Sequence, residues 1–128
     1  MKKIFAVVCC ALGFMGFSSV ASAEDHSRVV VLWKCELKEG KNIDDVHAAN
    51  GRWVKHVNAK VEGGDIHSYV LATVVGKART FLYADSFPSL SSWEGAMNIE
   101  DDEMKAISEG LDAVADCEKN SLHMSKES

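Results

Sequence analysis

Two cysteines, Cys35 and Cys117, constrain what this chain can fold into more than any other feature of its sequence. The chain has four cysteines, but Cys9 and Cys10 fall in a stretch that carries the marks of an export signal. Met1-Lys2-Lys3 is a short basic head, Ile4 to Phe17 is an apolar run, and Ala21-Ser22-Ala23 is a small-residue cleavage signal. Gly13 and Gly16 interrupt the run, which falls short of the about 20 apolar residues a spanning helix needs. No small-residue lipobox precedes Cys9 or Cys10. Residues 1–23 are therefore expected to be a cleaved signal peptide, and the short basic head points to a bacterial periplasm or secretion beyond it. Cys35 and Cys117 are then the only pair left in an oxidising compartment, where two cysteines are more often a structural disulfide than a reactive pair. They form no CxxC motif, and no histidine spacing beside them makes a metal site.

The remaining residues, 24–128, are enough for one domain with a single core. Removing Lys2 and Lys3 takes the formal net charge from −5 to −7. An acidic surface of this kind disfavours nucleic acid and anionic membranes as partners.

Arg28 to Lys38 has the pattern of a strand, with Val29 to Trp33 bulky or β-branched and Lys34 to Lys38 alternating. Glu39-Gly40-Lys41 makes a turn, and Asn42 is a natural helix N-cap ahead of Asp44 and Asp45. The helix is predicted to run to about Lys60. Ile43, Val46, Trp53, Val54, Val57 and Val61 gather on one face of it, with Asn50 near the centre of that stripe and His47 at its edge. Ile66 to Val75 is predicted as a second strand and Thr80 to Ser86 as a third, joined as a hairpin. Phe87-Pro88-Ser89 opens a short helix carrying Leu90, Trp93 and Met97. A further helix is predicted from around Glu100, after a cap at Asn98, with Met104, Ile107, Leu111 and Val114 at helical period. Asp116 to about Met124 can make a last strand.

The order is βαβ–βαβ with the second helix in two pieces, which is the ferredoxin-like plan of an antiparallel four-stranded sheet in the order 4-1-3-2. That plan makes the first and last strands antiparallel neighbours. Cys35 lies late in one and Cys117 early in the other, so the disulfide and the topology support each other.

The chain also resembles the dimeric α+β barrel superfamily. The resemblance covers most of residues 24–128. It rests on Val29-Val30-Val31-Leu32-Trp33-Lys34-Cys35, on Gly40-Lys41-Asn42 leading into the first helix, and on Phe81-Leu82-Tyr83-Ala84-Asp85-Ser86-Phe87-Pro88-Ser89-Leu90. It implies two sheets packed face to face. Its members include cofactor-free monooxygenases, polyketide cyclases and haem-dependent enzymes, but none of the matching segments is a catalytic motif. An export signal and a disulfide set this chain apart from the better-known cytoplasmic members. Composition points the same way on assembly: both faces of the second strand are largely apolar, which predicts a homodimer formed by sheet stacking.

The sequence holds no GxGxxG, P-loop, HExxH, GxSxG or EF-hand pattern. Glu100-Asp101-Asp102-Glu103 is the dipole-favoured start of a helix more than a cation loop. His47 and His56 lie nine residues apart on one helix, about 180° around it, so they cannot share a metal. His26 and His123 belong to the two ends of the mature chain. A haem needs only one axial histidine, which leaves His47 or His67, but no cofactor is expected.

The candidate site is a pocket between the first helix and the sheet. His47 and Asn50 would project from the helix, and His67, Tyr69, Tyr83 or Asp85 from the hairpin. With Val75 opposite Thr80, Tyr83 and Asp85 share a face with Val70 and Ala72, while His67 and Tyr69 point the other way. One residue of slip reverses that sharing. The competing reading places the tyrosines with Trp33, Trp53 and Trp93 in the core or a dimer interface, with His47 in solvent. Three functions follow: binding of a small apolar or aromatic molecule, a cofactor-independent monooxygenase- or cyclase-type enzyme using a histidine with a tyrosine, or a structural or stress-associated interaction module.

Overall fold

The structure is a computed structural model, and it describes residues 27–128. The expected signal peptide and His26 lie outside the described residues. The elements run β1 (Arg28–Leu37), α1 (Ile43–Lys60), β2 (His67–Ala72), β3 (Thr80–Phe87), α2 (Leu90–Met97), α3 (Asp102–Val114) and β4 (Ala115–Ser125). All three strand pairings are antiparallel, and the sheet order is β2-β3-β1-β4. This is the ferredoxin-like arrangement expected from the sequence.

The three helices of the described residues pack on the same face of the sheet. Val29, Val31, Trp33 and Cys35 of β1 stand beside Phe87, Asp85, Tyr83 and Phe81 of β3, and the core is drawn from this set. Val29, Val57, Ile107 and Phe87 lie in one half of the core, while Cys35, Val46, Phe81 and Val114 lie in the other. The opposite face carries Val30, Leu32, Leu82, Ala84, Tyr69 and Leu71. Two of these remain well exposed, Tyr69 at 56% and Leu71 at 47%.

Asn42 caps α1 as its sequence suggests. Its side chain accepts from the Asp44 and Asp45 backbone N–H groups, and Asp45 reaches back to the Asn42 N–H, completing a capping box. The cap of α3 differs from expectation. Asn98 ends α2 as its C-cap, and Asp101 caps α3 by accepting from Met104 N–H over 2.7 Å.

The second strand is shorter than predicted. Val74 and Val75 are 94% and 91% exposed in an irregular segment before Thr80, where Gly76 takes a φ of 131° that side-chain-bearing residues rarely adopt. Pairing consequently places Ala72 opposite Phe81 and Val70 opposite Tyr83. The shift from the expected register is two residues, so every side chain keeps its predicted face.

Cys35 and Cys117 are bonded. The register of β1 against β4 slips between Lys34 and Cys35: Lys34 faces Lys119 but Cys35 faces Cys117, so Glu118 is the extra residue of a bulge. Without that bulge Cys35 would face Glu118. The bulge sets the disulfide on the helix-covered face, next to the cavity described below.

Candidate functional site

Asn50 reaches the sheet because α1 turns its buried face, with Val46, Ala49, Trp53 and Val57, toward β2 and β3. A polar side chain in such a stripe must find a partner. Its Nδ2 donates to Ser68 Oγ over 2.8 Å, and Ser68 Oγ donates to Asp85 Oδ1 over 2.5 Å. Ser68 and Asp85 are directly opposed across the β2–β3 ladder. One chain of hydrogen bonds thus ties helix, edge strand and inner strand together.

Asp85 is buried, with 7% of its surface exposed. Burial pushes its carboxyl up to about 6, and the hydrogen bonds from Ser68 and Trp33 pull in the opposite direction. Tyr83 lies two residues earlier on the same face. Burial, and then the neighbouring Asp85 charge, raise its phenol to about 12, and its hydroxyl is buried without a hydrogen-bond partner. The Tyr83 ring meets Phe81 edge-on, with centroids 5.0 Å apart, which holds it in place.

These groups line a cavity of about 250 Å³ between α1, α3 and the sheet. Trp33, Trp53 and Tyr83 supply its aromatic wall, Asn50 and Asp85 its inner polar groups, and Leu111 part of its α3 side. Exposed Met97 and Asp112, and Cys117 of the disulfide, also line it. At neutral pH the site offers an ionised carboxylate able to accept a hydrogen bond or a proton, beside a phenol that stays protonated.

Of the six candidate residues, the structure brings Asn50, Tyr83 and Asp85 together. His47, His67 and Tyr69 do not join them. His47 is exposed on α1, because three residues back from Asn50 is about 60° around the helix, enough to leave the stripe. His67 and Tyr69 stand on the opposite sheet face; His67 is exposed, with Nε2 3.0 Å from Asp65 Oδ1.

Ser68 was missed, since one serine in a strand gives no local signal until the register is known. Trp33 and Trp53 carried only a core or interface reading. Among the described residues the buried histidine is His56, at 5% exposure, with Nε2 2.9 Å from Asp101 and Nδ1 3.4 Å from Glu103. It joins α1 to the start of α3, outside the cavity. Among the described residues no three His, Cys, Asp or Glu side chains group so as to hold a metal ion.

No protein-family model matches the sequence, and no curated protein is significantly similar to it. Solved structures are similar in fold. SnoaB, described as a cofactor-independent oxygenase from Streptomyces nogalater, superposes with a TM-score of 0.59 at 11% identity, covering 80% of this chain and 96% of its own. A conserved protein from Methanosarcina mazei Go1 gives 0.55 at 13% identity, covering 80% of this chain and 95% of its own. A NIPSNAP family protein from Agrobacterium tumefaciens C58 gives 0.54 at 14%, covering 80% and 88%. At these identities the likeness is one of fold, and the strand order and antiparallel pairing make this chain a ferredoxin-like α+β domain.

Proposed function

We propose that this is an exported protein that binds a small, largely apolar or aromatic molecule in the cavity between α1, α3 and the sheet. The observation that carries this reading is the unpartnered Tyr83 hydroxyl in an aromatic-walled cavity that also holds the Asn50–Ser68–Asp85 chain. Mostly apolar walls with a few converging polar groups are the usual build of a small-molecule site. The disulfide and the bacterial-type leader support a periplasmic or secreted location.

The protein acts as a homodimer in this reading, through the apolar open face of the sheet. Val30, Leu32, Tyr69, Leu71 and Leu82 form a patch there that a second copy would cover. Light scattering at micromolar concentration is expected to give twice the mass of residues 24–128, and a monomer mass would reject the assembly.

Trp33 and Trp53 line the cavity, so their emission reports its occupancy. Titration with indole or 2-naphthol is expected to quench emission saturably, and Asn50→Leu to weaken it at least tenfold. Quenching that never saturates would overturn the binding reading.

A second reading is a cofactor-independent enzyme of the monooxygenase or cyclase type, with Asp85 in place of a histidine as base. It is favoured by a buried carboxyl raised to about 6 beside a protonated tyrosine, a pairing suited to proton abstraction near neutral pH. The fold shared with SnoaB, a cofactor-independent oxygenase, lends it support. Oxygen uptake with dihydroxynaphthalene-type phenols, abolished in Asp85→Asn, is its test; bound phenol without turnover would reject it.

A further inference from the structure

The cavity has an unusual charge balance. Two carboxylates line it, Asp85 buried at its inner wall and Asp112 exposed on α3, and no lysine, arginine or histidine of the described residues does so. Three aromatic side chains, Trp33, Trp53 and Tyr83, share the same space.

Asp85 receives hydrogen bonds from two neutral groups, Ser68 and Trp33. A carboxylate has about four acceptor sites, so acceptor capacity remains. Buried charges are ordinarily paired, and here the described residues place no cation in the cavity. Arg52, the basic side chain that approaches α3 near Gly110, lines a different hollow, with His56 and Lys60. The Tyr83 hydroxyl adds an independent observation: it is buried and unpartnered, and its oxygen can accept as well as donate.

We propose that the cavity recognises a protonated primary amine carried on a small aromatic or aliphatic body. The ammonium group pairs with the Asp85 carboxylate and donates to the Tyr83 hydroxyl. Trp33 and Trp53 cover its methylene and ring portions, where a cation gains further attraction from the aromatic faces. Asp112 at the exposed side adds long-range attraction for positive charge and repels carboxylates. This proposal rests on the binding reading above and narrows its ligand to an organic cation.

The groups facing Asp85 from the packed elements are Trp33 of β1, Ser68 of β2, Tyr83 of β3 and Asn50 of α1, with Asp112 of α3 across the cavity. Tyr83, raised to about 12, keeps its proton throughout, while Asp85, raised to about 6, gains its charge between pH 4.5 and 7.5. Amine recognition therefore strengthens as pH rises through that interval.

The test compares three probes of one size by calorimetry on the disulfide-bonded residues 24–128: benzylamine, benzyl alcohol and benzoate. At pH 7.5 benzylamine is expected to bind at least tenfold more tightly than benzyl alcohol, with benzoate weakest. The advantage of benzylamine should collapse at pH 4.5 and in Asp85→Asn at pH 7.5, and shrink about threefold in Asp112→Asn. Benzyl alcohol or benzoate binding as tightly as benzylamine at pH 7.5 would overturn the amine proposal and leave the binding reading intact. Binding of none of the three would overturn both. The probe series needs only the parent protein, so a variant that fails to fold does not shield the proposal.

Discussion

Ser68 and Asp85 face one another across the β2–β3 ladder, and the serine hydroxyl donates to the carboxylate over 2.5 Å. That contact sits between two opposing forces. Desolvation drives Asp85 toward its neutral form, while the hydroxyl and the Trp33 indole favour the anion, and the balance leaves the carboxyl at about 6 instead of 3.8.

A carboxyl raised in the folded state binds its proton more tightly there than in the unfolded chain. The stability it contributes is complete below about pH 4 and is lost as pH rises through about 6. A gap of about two pH units corresponds to about 3 kcal/mol. Asp85→Asn removes this titration. Relative to the parent, the variant is expected to gain about 3 kcal/mol between pH 4 and pH 8, measured by urea denaturation of both proteins at each pH. A stability difference that stays constant with pH would contradict the assignment.

Asn58 holds the turn between α1 and β2. Its amide donates to Val54 O and Ile66 O, at 2.9 and 2.8 Å, while its oxygen accepts from Ile66 N–H at 2.9 Å. Ile66 is 2% exposed, so its backbone has little water to turn to. Asn58→Ala is expected to cost about 3 kcal/mol, since it strands a buried donor and acceptor together. Chemical denaturation checks this, and a loss under about 0.5 kcal/mol, typical of an indifferent surface site, would refute it.

How much of this was legible in the sequence depends on the range over which each signal acts. The Asn42 cap, the alternation of β1 and the period of α3 are written within a few residues, and each appears where expected. The choice between Asn98 and Asp101 as the cap of α3 was not local. Asp101 is also held by His56, 45 residues away in sequence, and a partner at that distance leaves no trace in the motif. The end of β2 misled for a related reason: Val74 and Val75 favour a strand, but the irregular 73–79 segment strips them of partners. Asn50 was visible as a polar intruder on an apolar stripe. His47 lay at the edge of that stripe, about 60° around the helix from Asn50, and that offset turns it to solvent.

The Cys35–Cys117 bond closes 82 residues of chain. In the loop-entropy account a closure of that size stabilises by about 4.5 kcal/mol, because it restricts the unfolded chain. Cys35→Ala with Cys117→Ala, or the reduced parent, is expected to lose most of that in urea denaturation. Unchanged stability after confirmed reduction would show that residual structure in the unfolded chain already brings these strands together.

Tyr83→Phe separates the needs of the site from those of the core. The hydroxyl is buried with no hydrogen-bond partner, a state that costs about 1–3 kcal/mol relative to a paired or solvated group. Phenylalanine keeps the ring against Phe81 and removes only the oxygen. The variant is therefore expected to be more stable than the parent by about 1 kcal/mol, while its affinity for benzylamine falls several-fold. Such a trade is common where a polar group is held ready for a ligand instead of for the fold. The two measurements are a denaturation curve and a calorimetric titration on the same preparation. A less stable variant would mean that the hydroxyl is satisfied within the folded protein and does not await a ligand.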